Sequence, residues 1–192
     1  MVSGYFQGIT DRTVSIFTDI LLAFPPLVLA LLAIYRLDDL KAQHPSFAWF
    51  SRTWQVVVVL SVLAIAPLAR IVRAQTLAIA QREYVLAARS LGAKNRRIIV
   101  REVLPNLVPT MISVAFTGIA VLIVAEGGLA FLGLSVESPP TWGRLISDNY
   151  KRIDDAWWAT LFPCLMLFLT VLAFNIIGDH IARKFDIREA AI

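Results

Sequence analysis

The chain is poor in the residues that form disulfide, metal and hydrolytic sites. It has one cysteine among 192 residues, Cys164, so no internal disulfide can form. Its two histidines, His44 and His180, lie far apart and show no metal-ligand spacing. The GxxxxGKS/T phosphate loop and the GxSxG and HExxH patterns are absent; Gly92-Ala93-Lys94 matches only the end of the first. We therefore expect no catalytic, cofactor-binding or metal-binding residues in this chain.

Charged residues are also scarce. They make up 17% of the chain, whereas hydrophobic residues make up 58% and the mean hydropathy is +0.70, too apolar for an ordinary soluble domain. Residues 20–35, 53–69, 107–125 and 156–178 are uncharged. A hydrocarbon core of roughly 30 Å needs about 20 helical residues, and continuous runs favour helices over barrel strands. The sequence predicts a single all-α integral membrane domain over residues 1–192, with about four transmembrane helices near 13–35, 53–74, 106–126 and 156–179.

Basic residues are distributed unevenly between the two sides of this predicted bundle. Twelve of the 18 Lys and Arg lie in the N-terminal piece, residues 70–105 and the C-terminal tail, and six lie in the two opposite loops. Cytoplasmic loops carry the excess of Lys and Arg. We therefore expect a multi-pass membrane protein with both ends and loop 75–105 in the cytoplasm and loops 36–52 and 127–155 outside.

Ionisable residues are absent from the middle of the apolar runs. The candidates Asp19, Glu126 and Asp179 lie near the ends of predicted spans. Carboxylates deep in a membrane mark proton or solute pathways, but at span ends a helix cap or an interhelical hydrogen bond is the favoured interpretation. A stand-alone channel or secondary carrier that uses Asp19 or Glu126 remains the alternative.

The first and third predicted spans contain features of a possible pathway or hinge. Pro25 and Pro26 predict a kink, because proline removes a backbone donor and clashes one turn back. In the third span, Ser113, Thr117 and Gly118 form a small, polar stripe together with Thr110. The stripe is compatible with a wet pathway, but helix–helix packing is the favoured interpretation.

The basic loop contains a short predicted helix. Tyr84, Ala87, Ala88 and Leu91 recur at helical spacing and share one face. Gly92 follows, where a helix end favours a residue free to adopt positive φ. The low alanine face suits close packing into a protein groove, whereas a lipid-bound helix would present bulkier apolar residues. A basic loop that binds anionic lipid, as in a membrane scaffold, stays open as the alternative.

Two further segments flank the third span. Residues 95–103 predict a second helical piece, after which Pro105 and Pro109 suit the first turns of the span. Beyond the span, Gly127, Gly128 and Gly133 interrupt an apolar run that is too short to cross the membrane. We expect a re-entrant or interfacial segment there.

The loop resembles the cytoplasmic signature of permease subunits of binding-protein-dependent ABC importers, written EAA, three residues, G, nine residues, IxLP. Ala87-Ala88, Gly92 and Leu104-Pro105 fall at that spacing, with Leu86 in place of the Glu and Glu102 in place of the Ile. Four further blocks, at residues 19–31, 125–136, 139–143 and 169–179, resemble the second permease of dipeptide and oligopeptide importers. The resemblance covers nearly the whole chain. That family usually has six spans, with a GYFGG-like segment after the second, so residues 4–8 (GYFQG) suggest that two N-terminal spans are missing.

The resemblance implies the transmembrane subunit of an ATP-driven importer in the dipeptide, oligopeptide and nickel branch, located in the bacterial cytoplasmic membrane. It implies no catalysis and no cofactor bound by this chain, since ATP and Mg would be held by partner ATPases. The implied partners are a second homologous permease subunit in a heterodimer, two ABC ATPase subunits, an extracytoplasmic solute-binding protein and membrane lipid, without nucleic acid. Nickel or glutathione is the alternative cargo to peptides.

The resemblance also implies roles for individual residues. The helix around Tyr84 to Leu91 would be a coupling helix that sits in a groove of one ATPase, with Arg89, Lys94, Arg96 and Arg97 near acidic groups. The residues expected to couple to the ATPase are Glu83, Tyr84, Ala87, Ala88, Arg89, Leu91, Gly92, Ala93, Arg96, Leu104 and Pro105. The possible pathway or hinge residues are Pro25, Pro26, Ser113, Thr117 and Gly118.

Overall fold

A computed structural model describes residues 2–47, 49–136 and 138–189 of the chain. These residues contain helices and no strand, which confirms the predicted all-α class. A π-helical segment, Ile99–Val103, makes the backbone from α6 to α7 continuous. The α-helices are α1 Val2–Phe6, α2 Ile9–Ala23, α3 Pro26–Gln43, α4 Arg52–Ala80, α5 Glu83–Ser90, α6 Asn95–Ile98, α7 Leu104–Phe131, α8 Trp142–Asn149 and α9 Trp157–Glu189.

Three of the helical segments are long and apolar enough to cross a membrane. They are Arg52–Ala80, Asn95–Phe131 and Trp157–Phe185, and the bent pair α2 and α3 is a fourth if both helices are taken as one span. Only 11% of the most apolar stretch of α9 is buried inside the chain. Such exposed apolar surface is typical of helices that face lipid or other membrane helices. The chain is therefore an all-α integral membrane protein.

The first predicted span is broken at its prolines. Helix α2 ends at Ala23 and α3 begins at Pro26, with Pro25 in an extended conformation (φ −58°, ψ 125°) between them. Two consecutive prolines remove two backbone donors, and the second is favoured as the first residue of a new helix. A complete break therefore replaces the kink that the sequence predicts.

The helix of the third predicted span continues past two glycines expected to interrupt the apolar run beyond it. Helix α7 runs through Gly127 and Gly128 and ends at Phe131, so the prediction of a re-entrant segment at these glycines is wrong. The physical reason is packing. A β-carbon on Gly127 would lie 3.6 Å from Gly143 Cα, and one on Gly128 would lie 3.4 Å from a methyl carbon of Leu27. Both are ordinary contact distances, and the close approach is the one at Gly143, where a β-carbon would lie 2.4 Å from Gly127 Cα.

The chain divides into two compact units. The first unit comprises Met1–Leu21, Ile65–Gly118 and Asn175–Ile192, and its buried apolar cluster is Tyr5, Val85, Ile98 and Val103.

The second unit comprises Leu22–Ala64 and Ile119–Phe174. An apolar cluster from α3, α4 and α7, which includes Ile34, Val56 and Leu129, forms its core. An ion pair with 2.8 Å between Arg52 Nη1 and Asp38 Oδ2 joins α3 to the start of α4.

Candidate functional site

Helix α5 has the short length and abrupt end that the sequence predicts. Gly92 has φ +79°, its N–H donates to the Arg89 carbonyl at 3.0 Å, and the Ala93 N–H donates to the Ala88 carbonyl at 3.1 Å. This pair of bonds is the Schellman arrangement, which requires a left-handed residue after the helix. The prediction of a short helix that stops at Gly92 is confirmed.

The surface of α5 divides into a buried side and an exposed side. Val85 is fully buried in the apolar cluster of the first unit, and Ala88 and Ala93 pack against that cluster half-buried. Ala87 is exposed, and Leu91 is 88% exposed. The four residues that the sequence places on one face are therefore split, because Ala88 contacts the chain's own core.

A groove of about 410 Å³ lies beside the exposed side of α5. Glu83 is the first residue of the helix and is exposed. Tyr84 is also exposed and lies on the wall of the groove. The groove is bounded by residues of α5, of the turn and of the segment after it, namely Tyr84, Ala87, Ala88, Leu91, Gly92, Ala93, Arg97, Ile98 and Glu102. The chain thus offers a concave surface next to the turn, and four of the residues that line it are alanine or glycine.

The other residues expected at this site lie around it. Lys94 and Arg96 are exposed, whereas Leu104 is half-buried at the start of α7 and Pro105 is exposed.

Arg89 has a partner within the chain. Its Nη2 donates to the Tyr5 hydroxyl at 3.1 Å, and its Cζ lies 5.6 Å from the centroid of the Tyr5 ring. Sequence reasoning did not identify Tyr5 as a contact of α5. The GYFQG segment was visible as a motif, but nothing local indicates a contact with a residue 84 positions away.

The possible pathway residues of α7 make interhelical contacts. The Ser113 hydroxyl donates to Asp179 Oδ1 at 3.1 Å, and the Thr117 hydroxyl donates to Asn175 Oδ1 at 3.2 Å, both on α9. A β-carbon on Gly118 would lie 3.8 Å from Leu68, an ordinary packing distance. These contacts support the packing interpretation of the stripe. Ser113, Thr117 and Gly118 belong to the first unit, and the exposed Pro25 and Pro26 belong to the second.

The three carboxylates near span ends are hydrogen-bond partners, as the sequence predicts. Asp19 pairs with Arg70 at 2.5 Å, Asp179 accepts from Ser113, and Glu126 accepts from the Thr141 hydroxyl at 2.9 Å.

A fourth carboxylate makes an ion pair that sequence reasoning did not identify. Asp11 and Arg73 form a two-point contact, with N–O distances of 2.5 and 2.6 Å, between α2 and α4.

The contact between Glu126 and Thr141 fastens α8 in the second unit. Thr141 is the N-cap of α8, and its hydroxyl accepts from the Arg144 N–H at 3.1 Å while donating to Glu126. The neighbouring cavity of about 620 Å³ is mainly apolar, and Glu126 is the one charged residue among the described residues that line it.

Replacing Thr141 by alanine should loosen α8. The change removes both the cap and the partner of Glu126, and we expect a loss of stability of about 0.5–2 kcal/mol. Thermal unfolding of the purified protein in detergent measures the shift. Thr141→Ser keeps the hydroxyl and should restore the wild-type midpoint; an equal loss in Thr141→Ser would contradict the capping role.

Comparison with known proteins identifies the family. Residues 1–188 match the family described as the inner membrane component of binding-protein-dependent transport systems.

The chain belongs to this family.

Similar members of the family include curated permeases with named transport systems. The dipeptide transport system permease protein DppC of Alkalihalophilus pseudofirmus is 32% identical over 187 residues, covering 97% of this chain and 58% of that protein. The glutathione transport system permease protein GsiD of Pectobacterium atrosepticum is 33% identical, with the same two coverages. GsiD of Escherichia coli O157:H7 is 32% identical over 183 residues, covering 95% of this chain and 56% of that protein.

These comparisons confirm the family resemblance seen in the sequence. The chain spans just over half the length of these relatives. Its multi-pass helical fold agrees with membership of a family of membrane-embedded permeases.

Proposed function

We propose that the chain is the transmembrane subunit of an ATP-driven importer of di- and oligopeptides, and that it forms half of the translocation path. The observation that carries the proposal is the exposed alanine side of α5, held by a buried core beneath it and ended by Gly92. The names of similar proteins, which are dipeptide and glutathione transport permeases, support the choice of cargo. Glutathione is the second candidate for the same reason.

The proposed mechanism assigns the chemistry to partners. Two ATPase subunits bind and hydrolyse ATP with Mg, and this chain binds no cofactor and hydrolyses nothing. A second permease subunit completes the path, and an extracytoplasmic binding protein delivers the solute. The basic distribution supports placing both ends and the loop around α5 in the cytoplasm, where the ATPases are.

Coupling is proposed to pass through α5. The residues proposed to meet the ATPase include Glu83, Tyr84, Ala87, Leu91 and Arg96, which are exposed on or near this helix. Ala88, Ala93 and Leu104 act by holding the surface in place, because they are half-buried in the chain itself. Closure of the ATPase pair would displace α5 and, with it, α4 before it and the continuous helical segment from α6 to α7 after it. Movement of packed helices as rigid bodies is an established form of switching.

A transport assay separates this function from a stand-alone carrier. We expect proteoliposomes that contain the complex of both permeases and both ATPases to accumulate a radiolabelled dipeptide only with ATP and the binding protein. Proteoliposomes that contain this chain alone should show no uptake under an imposed proton or sodium gradient. Gradient-driven uptake by the chain alone would contradict the proposal. Competition by glutathione distinguishes the two candidate cargoes.

A further inference from the structure

The side chain of Tyr5 joins the two helices on either side of the Gly92 turn. Its ring is 8% exposed and lies in the cluster with Val85, Ile98 and Val103, all fully buried. Its hydroxyl donates to Asn95 Oδ1 at 3.1 Å and accepts from Arg89 Nη2 at 3.1 Å. Arg89 is in the last turn of α5 and Asn95 is the first residue of α6. One hydroxyl therefore contacts both sides of the turn.

Helix α1, which carries Tyr5, is pressed against α4. A β-carbon on Gly4 would lie 3.0 Å from the carbonyl oxygen of Arg73 and 3.2 Å from Thr76 Cβ, so the two helices approach as closely as a glycine permits. The Arg73 side chain also holds Asp11, at the start of α2, through two bonds. The segment that carries Tyr5 is therefore fixed to the end of α4 by backbone packing and by an ion pair.

Apolar contacts and hydrogen bonds contribute differently at this junction. Burial of Val85 and Ile98 turns one face of α5 toward the core, but the apolar contact is non-directional and leaves small rotations about the helix axis possible. The bonds of the Tyr5 hydroxyl are directional and restrict those rotations, so they refine how the exposed side of α5 faces outward. The exposed side includes Ala87 and Leu91, the surface proposed to meet the ATPase.

From these contacts we infer that Tyr5 is a positioning residue for coupling. Helix α1 transmits the displacement of α5 to α4, and the Tyr5 hydroxyl refines the orientation of α5. The inference rests on the proposed function. It assigns to the N-terminal segment a part in transmission that does not require contact with solute or nucleotide.

The variant Tyr5→Phe tests this role, because it removes the hydroxyl and keeps the ring in the apolar cluster. In the reconstituted complex, the number of peptides transported per ATP hydrolysed should fall by roughly 2- to 30-fold, the range for residues that carry coupling between sites. The matched control is Tyr35→Phe, which removes a hydroxyl from a side chain that is 70% exposed in the second unit. The control should keep the wild-type ratio.

Hydrogen–deuterium exchange of the same complex gives a second, transport-independent measurement. Amides of residues 83–98 should exchange faster in Tyr5→Phe, whereas those of α9 should not change. Asn95→Ala removes one acceptor of the hydroxyl, so its effect and that of Tyr5→Phe should be less than additive in the double variant.

The outcomes distinguish this inference from the proposed function. Faster exchange at residues 83–98 together with a lower coupling ratio supports the inference. Unchanged exchange in Tyr5→Phe overturns it, and so does an unchanged coupling ratio in Tyr5→Phe when the wild-type complex transports. A wild-type complex without ATP-driven uptake contradicts the proposed function instead, and the exchange result then decides whether Tyr5 positions α5.

Discussion

Replacing Ala87 by arginine should abolish ATP-driven uptake by the assembled complex while the chain itself stays folded. Ala87 is exposed on α5 and lines the groove beside it. An arginine in solvent is a good helix former, so α5 should persist. Against a partner surface, however, the same side chain adds bulk and a desolvated charge, which typically costs 2–5 kcal/mol when unpaired. We therefore expect uptake to fall by roughly 30-fold or more.

The control for this prediction is Leu86→Arg. Leu86 is also exposed on α5, but it points about 100° away around the helix axis. It should reduce uptake less than fivefold, an order-of-magnitude expectation for a charge at the rim of an interface. Copurification of the ATPase subunits with each variant measures docking directly. Equal losses for both variants would argue against a specific docking side, and normal uptake by Ala87→Arg would remove the basis of the proposed function.

Ala88→Arg is a less informative variant than Ala87→Arg. Ala88 packs half-buried against the cluster that contains Val85 and Ile98. An arginine there would disturb the chain's own core as well as any partner contact. The alanine pair of the signature thus contains one residue directed to the core and one directed outward, and only the second tests docking without a change in folding.

Replacing Gly143 by alanine should have the largest effect on stability. A β-carbon at Gly143 would lie 2.4 Å from Gly127 Cα and 3.0 Å from the Gly127 nitrogen. Both contacts are to helix backbone, which cannot rotate away as a side chain can. Overpacking of this kind typically costs about 1–3 kcal/mol, which for a protein of this size lowers the unfolding midpoint by roughly 2–12 °C. Because Glu126 Oε2 would also lie 3.0 Å away, the bond to Thr141 should weaken with it.

The matched control is Gly118→Ala in α7. A β-carbon there meets a methyl carbon of Leu68 at 3.8 Å, an ordinary contact. Alanine is favoured over glycine in a helix interior by about 0.5–1 kcal/mol, so this variant should be as stable as the wild type or more so. Thermal unfolding of both variants in the same detergent makes the comparison. Equal midpoints for Gly143→Ala and the wild type would show that α8 does not require this close approach.

The contacts of the polar positions agree with the interpretation that the sequence favours. Asp19, Glu126 and Asp179 each have an interhelical or capping partner, and Ser113 and Thr117 contact α9. Residues with such partners are already engaged in holding helices together. The second-unit cavity beside Glu126 is a separate feature with a mainly apolar lining.

The amino-acid sequence by itself determined the features that depend on a few neighbouring residues. Uncharged runs of sufficient length predict membrane helices, and the spacing of Tyr84, Ala87 and Leu91 followed by Gly92 predicts the short helix and its end. Each of these signals acts within one or two helical turns, through backbone hydrogen bonding, allowed φ values and the transfer of apolar side chains out of water.

Only the tertiary structure decided the features that depend on residues distant in the chain. Gly127 and Gly128 look like helix breakers in sequence, yet α7 continues through both, and Gly127 is the close backbone neighbour of Gly143. The orientation of Ala88 toward the core and the partnership of Arg89 with Tyr5 likewise depend on which segments meet. The physical reason is that a glycine or an arginine can take several backbone conformations or side-chain partners of similar free energy. The residue that selects one of them lies far away in the sequence, so the neighbouring residues do not indicate it.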